Sequence, residues 1–317
     1  MNILITGAWQ SAAMHFQEIE AMGHIIKFLQ YEKDKLPCPY EWAEGVICNG
    51  LFLYHDISKF TNLKYIQLTS AGYDRIPMDC VSEHGIAIYN ARGVYSIPMA
   101  EFALCGVLQL YKQMPFFHEN QKQKKWIKHR GLKELSGQTV CIIGCGSVGT
   151  ECAIRFKAFG TTVIGVDLTP YKNDIFDDMG HIDELDVVLP SADVVILTVP
   201  LTDKTNYLIN RNRLRLFKHD SVLVNISRGT VINTDDLIKG LAEGILAGVV
   251  LDVFEEEPLN IESPLWDMEN VIVTPHNSFV GNQNSSRLSA VILKNLSRYY
   301  SVGTMQADRI EHQKRDI

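Results

Sequence analysis

No run of apolar residues in the 317-residue chain approaches the roughly 18 that cross a bilayer, so no membrane-spanning helix is expected. The N-terminus, Met1-Asn2-Ile3-Leu4-Ile5-Thr6-Gly7, has neither a basic leader nor a long apolar stretch. It reads as a β-strand and not as a signal peptide. The seven cysteines (Cys38, Cys48, Cys80, Cys105, Cys141, Cys145 and Cys152) are odd in number and show no C-x-x-C spacing. Neither a disulfide framework nor a metal is expected from them. Several sit in apolar runs, where Cys behaves as a small hydrophobe, and a reducing cytoplasm is the simplest setting. A surplus of positive charge is also missing. The formal net charge of −7 weighs against a duplex nucleic-acid partner, which needs a cationic face. The one basic stretch, Lys122 to Arg130 around Trp126, reads as a solvated connecting loop. There is no internal repeat and no low-complexity tract.

What is present is the mixture of a globular protein, 46% hydrophobic and 21% charged, in a length that suits two domains. In the first hundred residues short apolar runs alternate with helical stretches. Strands are expected at Ile3 to Thr6, Gly45 to Cys48, Tyr65 to Leu68 and Ala87 to Tyr89, with a helix over about Ala12 to Met22. Such alternation predicts a parallel α/β domain. From Ile97 to Met114 a helix is expected that is apolar almost all round, with Pro98 in its first turn, where no N–H is needed. A one-faced helix would show a stripe, so this one is covered on more than one side. The cover is the rest of the core, the other domain or a second subunit.

From Thr139 the pattern becomes regular. Thr139-Val140-Cys141-Ile142-Ile143 is the continuous β-branched run of a strand buried on both faces. It leads into Gly144-Cys145-Gly146-Ser147-Val148-Gly149 and then a helix to about Gly160. A lone G-x-G-x-x-G means little, but here it comes after a strand and opens a helix. Gly144 permits the tight turn, Gly146 lets a pyrophosphate approach the backbone, and Gly149 allows close packing of helix on strand. The helix N-terminus offers its free N–H groups to the phosphates. The next strand, Thr162 to Val166, ends in Asp167, whose carboxylate can bind both ribose hydroxyls and would repel a 2′-phosphate. NAD is favoured over NADP, with Lys172 close enough to count against strictness. Methyltransferases that use S-adenosylmethionine share part of this pattern and stay open at this point.

Four more strands are expected, Asp193 to Val199, Ser221 to Ile226, Gly248 to Val253 and Val271 to Thr274. In open parallel sheets ligands bind beyond the carboxyl ends of strands, which gives weight to the residues just past each run. They are Pro200-Leu201-Thr202, Ser227-Arg228-Gly229, Asp252 with Glu255-Glu256-Glu257, and Pro275-His276. One Arg after a strand is ordinarily a surface residue, an acidic run a solvated turn, and one His structural. At successive strand ends beside a cofactor they converge, and the set suits hydride transfer to a keto acid.

Five stretches in order then resemble the D-isomer-specific 2-hydroxyacid dehydrogenase family, which includes D-lactate, glycerate/hydroxypyruvate and D-3-phosphoglycerate dehydrogenases. They are Gly144 to Gly149 with Asp167, Pro200 to Thr205, Val224 to Gly229, Leu251 to Leu259, and Pro264-Leu265-Trp266 through Thr274-Pro275-His276. The resemblance runs from about Leu63 to Val280. It implies an α/β fold of two flavodoxin- or Rossmann-like doubly wound domains with a cleft between them. The substrate domain would be discontinuous, 1–97 plus 282–317, around an NAD-binding domain at 98–281. A homodimer is implied as well.

The resemblance also implies roles. Of the acidic run Glu257, just before Pro258, is the catalytic acid. Ser70-Ala71-Gly72 within Ser70 to Asp74 is the substrate-carboxylate loop, and Ser147, Val148, Val199, Pro200, Ile226 and Asp252 line the cofactor. His276 would exchange a proton with the substrate oxygen, Glu257 would fix its ring and favour its charged form, and Arg228 would hold the substrate carboxylate. The substrate would be a small 2-keto or 2-hydroxy acid such as hydroxypyruvate, glyoxylate or 3-phosphoglycerate. Arg75, beside the carboxylate loop, could reach a phosphate. Two positions and one stretch depart from the family pattern: Ser147 where Arg is common, Phe102 where His is common, and Asn277-Ser278-Phe279-Val280 where small residues are usual. Formate dehydrogenase lacks the acid that Glu257 supplies. The alternative from another class is an NAD(H)-sensing, corepressor-like binding protein on the same fold.

Overall fold

The structure is a computed structural model, and it describes residues 1–171 and 173–302. Lys172 and the polar last ten residues lie outside the described residues. Two compact units divide the chain: Met1–Tyr95 with the segment from Gly281, and Ser96–Val280.

The first unit is built on five parallel strands, β1 (Asn2–Thr6), β2 (Ile25–Leu29), β3 (Gly45–Cys48), β4 (Tyr65–Leu68) and β5 (Ala87–Tyr89). Their order, β2-β1-β3-β4-β5, is the flavodoxin arrangement. Alternate residues feed two cores, as the two-residue period of a strand requires. Leu4, Val46, Ile66 and Leu68 pack on one face. Ile3, Ile5, Ile47 and Tyr65 pack on the other, against Leu288, Ile292 and Leu296 of the helix Asn284–Val302. Those three recur at every fourth position and so form one stripe. β2 was not expected from the sequence. It is an edge strand with Ile25 and Phe28 exposed, so it shows no clean alternation.

Seven parallel strands form the second unit: β6 (Thr139–Ile143), β7 (Thr162–Asp167), β8 (Asp178–His181), β9 (Val194–Leu197), β10 (Val222–Asn225), β11 (Gly248–Leu251) and β12 (Val271–Val273). The order β12-β11-β10-β9-β6-β7-β8 reverses direction between β6 and β9, where such sheets bind ligands. Every residue of β9, β10 and β11 is buried, which explains why all but the last residue of β10, Asn225, are apolar. β8, Asp-Met-Gly-His, has no apolar signature in the sequence because it is a polar edge strand.

The expected helix over Ile97 to Met114 is in fact two helices, Ser96–Tyr111 and Met114–Lys122. Gln113 between them takes a left-handed backbone with φ +52°, which no regular helix can contain. Ala100, Ala103, Val107 and Leu110 are buried on the sheet, and a Cβ at Gly106 would come within 2.8 Å of Val250. On the opposite side Leu104, Cys105, Leu108 and Met114 line an open apolar groove. Among the described residues no helix is long and apolar enough to cross a membrane. All seven cysteines are free thiols.

Candidate active site

Because the seven strands of the second unit are parallel, their carboxyl ends share one edge. The fingerprint loop, Asp167, Pro200, Arg228, Asp252 and His276 all stand at or just past those ends.

The fingerprint loop comes directly after β6. Gly144 has φ +93°, and a Cβ on it would press against the Thr198–Val199 peptide at 2.9 Å. A Cβ on Gly149 would overlap the Gly144 carbonyl, so the helix Ser147–Ala158 can start this close to the turn only without a side chain there. Gly146 differs: no protein atom lies within 4 Å of where its Cβ would be. The protein leaves that space open beside a helix N-terminus, the geometry a pyrophosphate needs. Ser147 and Val148 begin the helix, both half-buried. Asp167 ends β7 and accepts from Cys145 N at 2.6 Å and Thr169 N at 3.0 Å. Its carboxylate is therefore fixed against the loop that would carry the phosphates. Val199 and Ile226 are buried at the ends of β9 and β10, and the exposed Pro200 comes after Val199. These residues fit a bound dinucleotide.

Arg228 stands three residues past β10. Asn225, the last residue of that strand, folds the turn: its Oδ1 accepts from Ser227 N and Oγ, and its Nδ2 donates to the Arg228 carbonyl at 3.0 Å. Arg228 is half-buried and donates from Nη1 to Ser227 O at 2.8 Å. Asn225 lies inside the Val224 to Gly229 stretch, yet sequence reasoning missed its part. An Asn that ends a strand before Ser-Arg-Gly is the available signal, because Asn bonds its own backbone two residues on.

His276 lies just past β12 with φ +51°, a conformation that costs a non-glycine residue energy and needs support from its surroundings. The support comes from Asp252, which is fully buried at the end of β11. The Asp252 carbonyl accepts from His276 N at 2.8 Å. Its Oδ1 accepts from Thr274 Oγ1 and Asn277 N, both at 2.7 Å, and its Oδ2 from Ser278 N at 2.9 Å. One carboxylate thus grips the loop on both sides of the imidazole.

The acidic run divides its labour. Glu257 Oε2 is 2.9 Å from His276 Nδ1, and Glu257 Oε1 accepts from Phe254 N at 3.1 Å. Both side chains are about two-fifths exposed, and no described residue bonds His276 Nε2. Phe279 meets the imidazole edge-on, ring centres 6.0 Å apart. Glu255 points elsewhere, accepting from Thr234 N and the Tyr207 hydroxyl. Burial pushes the Glu255 carboxyl up, and the hydrogen bonds from Thr234 and Tyr207 outweigh it to hold the group below the usual range. Glu256 makes no hydrogen bond or ion pair among the described residues.

Ser70, Ala71 and Gly72 come after β4 in the first unit. Ser70 Oγ donates to Gly72 O at 3.1 Å and Asn90 Nδ2 donates to Ala71 O at 2.7 Å. The N–H groups of Ala71 and Gly72 donate to no described residue.

Strand order and loop together define a dinucleotide-binding α/β protein. Comparison with known proteins narrows this. Residues 104–278 match the family described as D-isomer specific 2-hydroxyacid dehydrogenase, NAD binding domain. A D-3-phosphoglycerate dehydrogenase of Methanocaldococcus jannaschii is 33% identical over 283 residues, covering 87% of this chain and 53% of the relative, so the chain spans about half that relative's length. A glyoxylate reductase of Thermofilum pendens is 33% identical over 74% of this chain and 71% of its own length. Among solved structures, a D-isomer specific 2-hydroxyacid dehydrogenase family protein from Aeromonas salmonicida superposes with a TM-score of 0.81 at 30% identity, covering 95% of each chain. The chain belongs to the D-isomer-specific 2-hydroxyacid dehydrogenase family, a class of NAD-dependent oxidoreductases.

Proposed function

We propose that this chain interconverts a small 2-keto acid and its D-2-hydroxy acid, with glyoxylate or hydroxypyruvate as the substrate type. The observation that carries the proposal is the Glu257–His276 pair, bonded through Nδ1 with Nε2 left open. In the reducing direction, bound NADH supplies hydride to the carbonyl carbon. His276 Nε2 gives a proton to the carbonyl oxygen, while Glu257 accepts from Nδ1, fixes the ring and offsets its positive charge. Arg228 holds the substrate carboxylate with its planar fork, a task to which Lys is less suited. Gly144, Gly146, Ser147, Val148 and Gly149 would hold the phosphates of the cofactor and Asp167 its adenosine ribose, with Val199, Pro200 and Ile226 beside them, while Asp252, fully buried, would act from behind by fixing the His276 loop. The second unit is the cofactor domain and the first the substrate domain.

Turnover tests this. NADH oxidation is monitored at pH 7 with glyoxylate, hydroxypyruvate, pyruvate, 2-ketoisocaproate and phosphohydroxypyruvate. The expected result is fastest turnover on one of the first two; NADH binding with no turnover on any of the five sinks the proposal.

Asp167 sets cofactor choice in this reading. Asp167→Asn removes the charge that repels a 2′-phosphate but keeps an oxygen for Cys145 N. The NADH/NADPH ratio of kcat/KM is expected to fall about tenfold or more, corresponding to roughly 1.4 kcal/mol. An unchanged ratio takes Asp167 out of cofactor selection.

The apolar groove on the helix Ser96–Tyr111 supports a homodimer, with a second copy covering Leu104 and Leu108. Sedimentation velocity should show a dimer, and Leu108→Glu should run as a monomer because a buried carboxylate at the contact has no partner. A wild-type monomer at tens of micromolar rules the dimer out.

A further inference from the structure

Tyr207 is unexplained by the proposed chemistry, yet it is one of only four non-glycine residues with positive φ among the described residues, at +49°. His276 is another. A tyrosine gains nothing locally from this backbone, so the surroundings must hold it there. They do so at both ends of the residue. Its N–H donates to Thr230 O at 2.7 Å, two residues past Arg228, and its hydroxyl donates to Glu255 Oε2 at 2.8 Å, two residues before Glu257. Glu255 Oε1 takes the Thr234 N–H at 2.7 Å, in the first turn of the helix Thr234–Ala242. At that N-terminus a negative charge is additionally favoured by the helix dipole. The loops after β9, β10 and β11 are thereby joined by two side chains.

The contact between the Arg228 and Glu257 loops is close. A Cβ on Gly229 would fall onto the Phe254 carbonyl and the Glu255 nitrogen, so these backbones touch. With Glu255 pinned, the chain from Phe254 to Glu257 is fixed at its start, and the Phe254 N–H bonds Glu257 Oε1 at 3.1 Å. That leaves Glu257 Oε2 for His276.

We propose that Tyr207 and Glu255 are positioning residues for the reaction, a brace that holds the Arg228 loop and the Glu257–His276 pair in register. The inference rests on the roles given above to Arg228, Glu257 and His276. Neither Tyr207 nor Glu255 needs to touch substrate or cofactor. The other anchored acid at this edge, Asp252, grips the loop of His276 itself, whereas the Tyr207–Glu255 brace acts on the groups His276 works with. In this arrangement the first Glu of the acidic run secures the third. Small displacements suffice to matter, since an error of about 1 Å in a reacting group can cost roughly 10²-fold in rate.

The test is steady-state kinetics of the full chain with NADH and its best keto acid, for wild type, Tyr207→Phe, Glu255→Gln, Glu255→Ala and His276→Ala. Tyr207→Phe removes one hydrogen bond and nothing else, and about a 3- to 10-fold fall in kcat is expected. Glu255→Ala removes both anchors, with an expected fall of about 10- to 100-fold. Glu255→Gln, which still accepts from Thr234 N, should recover most of that loss. In the two brace-breaking variants the KM for NADH should stay within about twofold, because no residue on the cofactor loop is disturbed. The pH profile of kcat should also move in Glu255→Ala, because the Glu257–His276 distance is what the brace sets.

Wild-type kcat and pH profile in Tyr207→Phe and Glu255→Ala overturn the inference while the proposed function stands. A parallel loss in kcat and thermal stability, with NADH binding impaired equally, also overturns it, because the brace is then merely structural. If wild type turns over no keto acid, or His276→Ala is fully active, the proposed function falls and takes this inference with it.

Discussion

Replacement of His276 by alanine is expected to lower kcat by about 10²- to 10⁴-fold, the usual worth of a positioned acid–base group, with NADH affinity unchanged. The reason lies in the hydrogen bonds already made. Nδ1 is committed to Glu257, no described residue bonds Nε2, and the fingerprint loop that would hold the cofactor contains no part of this pair. Arg228→Ala should behave differently. In the proposed mechanism it removes a fork that would bind substrate before and during the reaction, so KM for the keto acid is expected to rise together with the fall in kcat. Stopped-flow measurement of NADH binding separates cofactor effects from both. Equal falls in kcat and equal KM values for the two variants would contradict this division of roles.

The second large effect is on the fold around the site. Asp252→Asn is nearly isosteric, yet the buried carboxylate accepts from one hydroxyl and two amide N–H groups. An amide side chain must turn its NH₂ toward one or two of those donors. Even the better orientation, with the NH₂ facing Ser278 N, opposes a buried donor to a donor, at a cost of about 1–3 kcal/mol. For a unit of this size that corresponds to a fall in Tm of several degrees, at roughly 2–4 °C per kcal/mol. kcat should fall with it, because the positive φ of His276 is held by this grip. Calorimetry and turnover on the same preparation provide the check. A variant as stable and as active as wild type would mean that the loop is held by something other than Asp252.

How much of this was legible in the sequence depends on the kind of residue. The central strands were readable because a strand buried on both faces must be apolar throughout, as Val194–Leu197 and Val222–Asn225 are up to their last residue. The edge strands Ile25–Leu29 and Asp178–His181 were not, because one side of each meets water and their polar residues break the pattern. The helix break at Gln113 was equally invisible. Its left-handed backbone is set by where the two helices pack, not by any propensity of glutamine. Tyr207 gave no signal either. Its role depends on Thr230 and Glu255, which lie 23 and 48 residues further along the chain.

By itself, then, the sequence determined that the chain is a parallel α/β protein with a dinucleotide loop from Gly144 to Gly149, and that an Arg, an acidic run and a His stand just past successive strands. These are consequences of periodicity and of glycine's missing side chain, which act over a few residues. Family resemblance pointed to Glu257, but residue type and spacing did not, and only the tertiary structure shows which carboxylate meets the imidazole. Three consecutive glutamates are chemically alike, and the fold turns Glu255 to the helix at Thr234 and Glu257 to His276. It also made Asp252 a buried clamp on the His276 loop, because the ends of β11 and β12 lie side by side in the sheet. A hydrogen bond between residues 19 or 25 positions apart has no local signature, so only the packed sheet can specify it.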